Sequence, residues 1–242
     1  MRMAFASRNG LQRWFGRAIC ERVGATDDIE WKISSEPVAY PEALSFMEQR
    51  AAAIRDERER ECVWLLEHPP LFTAGTSADP AELFNPLGMP VFQAGRGGRY
   101  TYHGPGQRVG YLMLDLEKRG KDIRRFVHSL EGWMIDALAD LGVSAHPAEQ
   151  RIGIWVGEGA QEKKIGALGV RVKRWVTLHG FALNVAPDLS HFAGIVPCGI
   201  AEFGVTSLAE LGKQIPLTGV DAALKGRFPS FLNALRGACK ES

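Results

Sequence analysis

Apolar residues recur at helical spacing in two stretches of the chain. The first stretch opens at Pro41, a residue favoured at the start of a helix, and ends in the charged run 55–60. Its apolar face carries Leu44, Met47, Ala51 and Ile54. The second stretch begins at Ile123, and its apolar face carries Ile123, Phe126, Val127, Leu130, Met134, Leu138 and Leu141. The pattern predicts one amphipathic helix in each stretch.

Short apolar runs between turn residues predict β-strands over 62–66, 109–116, 152–156, 165–172 and 175–185. Turns at 157–159 and 173–174 would join the last three as hairpins. Residues 73–98 are so rich in Gly and Pro that we expect only short strands there, such as 91–92. Hairpins beside isolated helices favour an α/β protein of the α+β type. We therefore expect a single domain with a mixed, largely antiparallel sheet and flanking helices on one side of it.

Composition narrows the class of protein further. The chain has 242 residues, 45% hydrophobic and 24% charged, which is typical of a globular domain with a sizeable core. Its 29 basic and 28 acidic residues leave a net charge of +1, which gives no support to a nucleic-acid partner. No apolar run approaches the roughly 20 residues of a membrane span, so we expect no membrane association. The four cysteines are scattered without a Cys-x-x-Cys pair, which predicts no metal site and a reducing cytoplasm.

The chain divides into three predicted regions. Residues 1–27 carry five arginines among apolar residues at helical spacing, a composition shared with organelle transit peptides. We favour a basic N-terminal extension, because no apolar signal core follows. The main domain is predicted over 28–220, and a helical C-terminal tail over 221–242.

Two residues form a candidate nucleophilic pair. Cys198 lies between Pro197 and Gly199 in an apolar segment, which fixes the backbone on one side of the thiol and leaves the other side uncrowded. A thiol needs a neighbouring base or cation to react, and Lys164 can be either. On its own, a Pro-Cys-Gly sequence is more often a turn with a buried cysteine. The pair is therefore a hypothesis that the rest of the chain must support.

Residues 96–107, Arg-Gly-Gly-Arg-Tyr-Thr-Tyr-His-Gly-Pro-Gly-Gln, form the densest motif. Paired glycines allow the backbone to approach a ligand closely, and Arg96 and Arg99 can meet an anionic or polar group. No Gly-Lys-Ser/Thr follows, so the segment is not a P-loop, and 104–110 is a poor dinucleotide fingerprint. Taken alone, the segment is equally well explained as a glycine-rich hairpin with aromatic packing.

The motifs occur together in a fixed order: 96–107, then Lys-Ile-Gly-Ala-Leu-Gly at 164–169, His-Gly-Phe-Ala-Leu-Asn at 179–184 and Pro-Cys-Gly-Ile at 197–200. This order resembles that of the lipoyl(octanoyl) transferases of the biotin and lipoate protein ligase superfamily. Glu-His-Pro-Pro at 67–70 and Gly-Val-Thr-Ser-Leu at 204–208 fit the same pattern. The resemblance covers roughly 36–212, so it implies nothing for the extension or the tail.

The resemblance implies an acyltransferase without a cofactor, with a fold similar to the biotin and lipoate protein ligase catalytic domain. Such an enzyme moves an octanoyl group from octanoyl acyl carrier protein to a specific lysine of an acceptor. The implied acceptors are the lipoyl domains of 2-oxoacid dehydrogenase complexes and the glycine cleavage H protein. Cys198 would hold the octanoyl group as a thioester. Lys164 would take the thiol proton and later accept one from the attacking amine.

The resemblance also implies which residues bind substrate: Arg96, Gly97, Gly98, Arg99, Tyr100, Thr101, Tyr102, His103, Ala167, Leu168, Gly169, Gly180, Phe181 and Ala182. The segments 167–169 and 180–182 offer small residues and bare backbone, which suit a wall for an eight-carbon chain. His103 is expected to have a positional role beside the thiol. Neighbouring side chains on a strand point to opposite faces, so Lys163 should stay at a solvated edge.

Basic residues in two clusters could guide an acidic carrier despite the neutral total charge. They are Lys118, Arg119, Lys121, Arg124 and Arg125 in one cluster, and Arg171, Lys173 and Arg174 in the other.

Three other functions fit parts of the pattern. An ATP-dependent lipoate or biotin ligase would share the fold, but it activates a free acid and needs no cysteine, so Cys198 argues against it. A Cys-His hydrolase would need an orienting group, for which Asn184 is a candidate. A non-catalytic acyl-carrier binding module would carry an inert thiol.

Overall fold

A computed structural model describes residues 28–148, 151–195 and 203–236 of the chain. The described α-helices are α1 (Tyr40–Arg55), α2 (Ile123–Asp140) and α3 (Leu217–Arg236). The described strands are β1 (Glu30–Ile33), β2 (Cys62–Leu66), β3 (Leu71–Ala74), β4 (Val91–Gln93), β5 (Tyr100–His103), β6 (Gln107–Met113), β7 (His146–Ala148), β8 (Arg151–Val156), β9 (Lys163–Lys173), β10 (Val176–Asn184) and β11 (Gly204–Val205). Short 3₁₀ helices cover Pro80–Glu82, Leu116–Arg119, Gly159–Gln161 and Leu189–Gly194.

The strands form two sheets. In the described residues the main sheet has the order β1-β2-β6-β10-β9-β8-β7, and β11 also pairs with β9. The pairs β1–β2 and β9–β11 are parallel and the remaining pairs of this sheet are antiparallel. A smaller sheet has the order β4-β3-β5. The predicted fold class, with its mixed and largely antiparallel sheet and flanking helices, is confirmed; the second sheet was not anticipated.

The helices cover both faces of the main sheet, so the expectation that they lie on one side is wrong. Strand β2 is buried along its whole length. Its Cys62, Trp64 and Leu66 pack in a cluster with α1, whereas Val63 and Leu65 pack in a second cluster with α2 and α3. Alternate side chains of a strand point to opposite faces, so a continuous apolar run such as β2 indicates a strand covered on both sides.

The last described helix is part of the core. Phe228 and Phe231 of α3 lie 5.3 and 5.0 Å from the ring of Trp133 on α2, and Asp221 pairs with Arg108 of β6 at 2.9 Å. The boundary predicted between 220 and 221 falls inside this helix, which packs against the sheet rather than lying apart from it. None of the described helices is both long and apolar enough to cross a bilayer.

Candidate active site

A cavity of about 380 Å³ lies where β9 and β10 meet the glycine-rich segment and the starts of α1, α2 and β8. Most of the predicted site residues line it: Lys164, Arg96, Gly97, Gly98, Arg99, Tyr100, Thr101, His103, Ala167, Leu168, Gly169, Gly180, Phe181 and Ala182. The three separate sequence motifs that contribute these residues therefore converge on one place in the fold.

Two of the predicted site residues need separate treatment. Tyr102 does not line the cavity: its hydroxyl bonds Nδ1 of His191 at 2.8 Å, and its ring packs on Phe72 and Phe192. These contacts give Tyr102 a packing role next to the cavity, and its contact with substrate stays a prediction. Cys198 lies in 196–202, outside the described residues.

Strands β9 and β10 form a wall of the cavity by pairing the two small-residue segments with each other. Gly180 pairs with Gly169, Phe181 with Leu168, and Ala182 with Ala167. A Cβ atom on Gly180 would lie 2.3 Å from the carbonyl oxygen of Gly110, closer than side chains tolerate. The absence of a side chain at Gly180 is thus required by the packing of the sheet, and it leaves bare backbone at the cavity.

Arg96 stabilises the glycine-rich loop 96–99 through hydrogen bonds to its backbone. Its buried guanidinium donates to the carbonyl oxygens of Gly97 (2.9 Å), Arg99 (3.1 Å) and Thr73 (3.1 Å), and to the Thr73 hydroxyl (2.7 Å). Arg99 forms an ion pair with Glu82. The sequence suggested that both arginines meet a ligand; Arg96 lines the cavity and also has a scaffolding role in the loop.

The two adjacent lysines of β9 are placed on opposite sides, as the alternation of a strand predicts. Lys164 is only 7% exposed, lines the cavity, and donates from Nζ to the carbonyl oxygen of Ile152 at 2.9 Å. The Lys163 side chain is 45% exposed and pairs with Glu210 at 3.3 Å. A buried ammonium group beside a cavity can exchange protons with a reacting group there, which an exposed lysine in an ion pair cannot do as readily.

The protonation of His103 follows from its hydrogen bonds. The Gln107 amide nitrogen donates to the Tyr102 carbonyl (3.2 Å) and to Oδ1 of Asn184 (2.9 Å), so its oxygen faces Nδ1 of His103 at 2.7 Å. Nδ1 must therefore carry the proton, and Nε2 is left as the acceptor, 3.3 Å from the Thr73 hydroxyl. Burial, the largest effect, holds the pKa of His103 well below its usual value. The ring is neutral and fixed in one orientation.

The same chain of hydrogen bonds continues from Gln107 to strand β9, which carries Lys164. Nδ2 of Asn184 donates to the Thr206 carbonyl at 2.9 Å, and the Thr206 amide donates to the Lys164 carbonyl at 2.9 Å. Both ends of the Asn184 amide are bonded, to Gln107 and to Thr206, and it is Gln107 that contacts the imidazole of His103. Asn184, the candidate orienting group for a Cys-His hydrolase, is therefore bonded elsewhere.

The sequence did not single out several polar residues beside the cavity. Tyr40 and Tyr111 line it, and each hydroxyl contacts a buried histidine: Tyr111 donates to Nε2 of His68 at 2.7 Å, and Tyr40 lies 3.1 Å from Nε2 of His179. Burial lowers the pKa of His68 to about 4 and that of His179 to about 3. Within the described parts of the chain, no three His, Cys, Asp or Glu residues are grouped as metal ligands would be.

These buried histidines predict a loss of stability in acid. The pKa of His68 is about 4 in the folded protein and about 6.5 in an unfolded chain. The unfolded chain therefore binds the extra proton between these values, and the free energy of unfolding falls as the pH drops through this window, by up to about 1.4 kcal/mol per unit. We expect urea denaturation at pH 7 and pH 5 to show a loss about 2 kcal/mol smaller in His68→Gln than in the wild type.

The control for this measurement is His128→Gln, the same substitution at a histidine whose side chain is 80% exposed. Equal pH dependence in His68→Gln and the wild type would show that His68 does not titrate as the structure indicates.

The described residues on either side of 196–202 both lie close to the cavity. Ile195 is buried in the same cluster as Tyr100. On the other side, the ring of Phe203 lies 5.7 Å from that of Trp155, and Val205 pairs with Lys164. Ile195 therefore lies near the Tyr100 side of the site, and Phe203 lies near the side that carries Trp155 and Lys164.

Comparison with known proteins agrees with this arrangement. Residues 39–229 match the family described as the lipoyl protein ligase A/B catalytic domain. An octanoyltransferase of Sphingopyxis alaskensis is 65% identical over 208 residues, 86% of this chain and 95% of that protein. One of Rhodospirillum rubrum is 61% identical over 212 residues, 87% and 96% of the two chains.

The fold is also found among solved structures. A bipartite lipoate protein ligase from Thermoplasma acidophilum superposes with a TM-score of 0.65 at 17% identity, over 85% of this chain and 84% of that one. At this identity the likeness concerns the fold alone. The match over 39–229 and the two bacterial relatives decide the family. The chain belongs to the lipoyl protein ligase A/B catalytic domain family and, within it, to the octanoyltransferases.

Proposed function

We propose that the protein transfers an octanoyl group from an acyl carrier protein to a lysine of a lipoyl domain, through a thioester on Cys198. The observation that carries this proposal is the buried Lys164 at a cavity walled by bare backbone and apolar side chains. The anchoring of the described residues on both sides of 196–202 near this lysine supports the pairing of Lys164 with Cys198.

In the first step the thiolate of Cys198 attacks the carbonyl carbon of the carrier thioester. The new carbon–sulfur bond to Cys198 forms as the bond to the carrier sulfur breaks, and the departing sulfur takes a proton from the Lys164 ammonium. One thioester replaces another, so the step is nearly balanced in energy and depends on positioning more than on driving force.

In the second step the amine of the acceptor lysine attacks the enzyme thioester. The amide bond forms, the Cys198 sulfur leaves as a thiolate, and the proton released by the amine goes to the neutral Lys164. The ammonium and the thiolate are thereby restored together. A single lysine can act as acid in the first step and as base in the second because it lies at the same cavity throughout.

The acyl chain would lie along the apolar part of the cavity. Ile123 and Val127 of α2 face it together with Leu168, Val170 and Phe181 of the main sheet. Each buried methylene contributes about 0.8 kcal/mol, so the depth of this region can select the chain length. The two residues of α2 were predicted only as part of a helix face that packs in the core.

The carrier would approach over a basic surface near Ile123. Arg119 does not belong to it, because its side chain is 8% exposed and bound to Glu61; this corrects the first cluster. The two predicted clusters meet in the fold, since Nζ of Lys121 lies 5.6 Å from the ring of Trp175, in the turn that follows Lys173. We propose that this combined surface guides the acidic carrier.

The proposal predicts turnover without nucleotide. Both steps draw on the energy of the carrier thioester, so octanoyl transfer to a lipoyl domain should proceed with octanoyl carrier protein alone, after removal of ATP and magnesium. Free octanoate with ATP and magnesium should give no product above background. Mass spectrometry of the lipoyl domain measures the octanoyl group transferred in each of these two reactions. A strict requirement for ATP would instead support the ligase function that the fold also permits.

A further inference from the structure

Strand β8 fits closely around the side chain of Lys164. A Cβ atom on Gly153 would lie 2.3 Å from Cε and 2.8 Å from Nζ of that lysine. The preceding residue, Ile152, accepts a hydrogen bond from Nζ at 2.9 Å. The ammonium group therefore lies in space that every residue except glycine would fill.

The backbone conformation at Gly153 also requires glycine. Gly153 has φ of +144°, a conformation that residues with a side chain rarely adopt. The register of β8 against β9 shifts next to it: Ile154 pairs with Gly166, whereas Trp155 pairs with Lys164, so that Ile165 is the extra residue of a bulge. Bulges change the direction of a side chain and occur often beside active sites. Here the bulge lies immediately beside the lysine.

An aromatic face completes the surroundings of Lys164. Its Nζ lies 5.5 Å from the ring centroid of Trp155, within the range in which a cation is attracted by an aromatic face. The indole is held by donation from Nε1 to the Arg151 carbonyl at 3.3 Å and by the Arg151 guanidinium, 4.4 Å from its ring. The same guanidinium lies 4.1 Å from the ring of Phe203 and is bound to Glu162 at 2.6 Å. The Trp155 ring is thus fixed from several sides.

We propose that Gly153 and Trp155 are positioning residues that fix the ammonium group of Lys164 for proton transfer. The inference rests on the role proposed above for Lys164 and adds two residues that none of the sequence motifs contains. Gly153 leaves the space that the ammonium occupies, and Trp155 presents an aromatic face to it at 5.5 Å.

The first test is Gly153→Ala, measured by steady-state kinetics with octanoyl carrier protein and a lipoyl domain. The added methyl group displaces the ammonium by on the order of an ångström, and we expect kcat to fall about 100-fold while KM for both substrates changes little. Gly159→Ala is the matched control: Gly159 follows the same strand with φ of +58°, and a Cβ there meets nothing within 4 Å. It should retain nearly full kcat.

The second test separates positioning from folding. The pH dependence of iodoacetamide reaction at Cys198, followed by peptide mass spectrometry, should move to higher pH in Gly153→Ala and in Trp155→Leu, and remain near that of the wild type in Trp155→Phe, which keeps an aromatic face. Should Gly153→Ala fail to fold, the Trp155 pair decides. Buried Cys62, whose pKa burial raises to about 11, is an internal control in every sample.

Two results would overturn the inference. One of them leaves the proposed function intact, and the other contradicts it as well. Unchanged alkylation profiles in Gly153→Ala and Trp155→Leu, beside a shifted profile in Lys164→Met, would remove the positioning role and leave the proposed function intact. An unchanged profile in Lys164→Met itself would remove both, because the lysine would then not act on the thiol.

Discussion

Replacement of Cys198 by alanine is expected to lower octanoyl transfer more than about a thousandfold, because the covalent route through a thioester disappears with the nucleophile. Cys198→Ser should be similarly inactive and keep the thermal stability of the wild type. The measurement is the rate of octanoyl-lysine formation on a lipoyl domain. Cys62→Ala is the matched control: Cys62 is a buried thiol on the α1 face of β2, and its loss should affect stability rather than turnover. A near wild-type rate in Cys198→Ala would rule out the covalent mechanism.

Replacement of Lys164 by methionine is expected to lower kcat by about 10²–10⁴-fold, the range found for general acid–base groups. Methionine keeps much of the side-chain volume and removes the charge, so the thiol loses its cation and its alkylation should require higher pH. Stopped-flow alkylation and steady-state transfer measure the two effects.

Lys163→Met is the control for Lys164→Met, because the Lys163 side chain is exposed and paired with Glu210. It should alter both quantities less than about twofold, as surface ion pairs contribute little. A larger change in the Lys163 variant than in the Lys164 variant would contradict the assignment of the two lysines.

The main elements of the fold could be predicted because their patterns are local. The helix predicted from Pro41 is α1, and the one predicted from Ile123 is α2. Strand β2 has the predicted bounds. Strand β5 was missed because glycines flank it on both sides, and its residues form a strand only through pairing with β3. The hairpin turn lies at Arg174 and Trp175, both with positive φ, one residue later than predicted, since the large aromatic Trp175 suggested a strand.

Some residues of the candidate site could likewise be predicted from the sequence, and others could not. Residues inside ordered motifs, such as Lys164 and Gly180, were found from the sequence and line the cavity. Tyr111 was missed because its place at the cavity depends on the pairing of β6 with β10, where it lies opposite Gly180. Gly153 was missed because its requirement for glycine arises from the bulge and from the approach of Lys164. Such requirements come from contacts between distant segments, and local patterns do not contain them.

The measurement that tests the account most directly is the intact mass of the protein after mixing with octanoyl carrier protein in the absence of a lipoyl domain. We expect the mass to rise by one octanoyl group, located on the peptide that contains Cys198 and discharged when a lipoyl domain is added. Lys163→Met should acquire the same adduct, and Cys198→Ala should acquire none. An unmodified wild-type protein that nevertheless octanoylates the lipoyl domain, or an adduct that the lipoyl domain does not discharge, would contradict transfer through a Cys198 thioester.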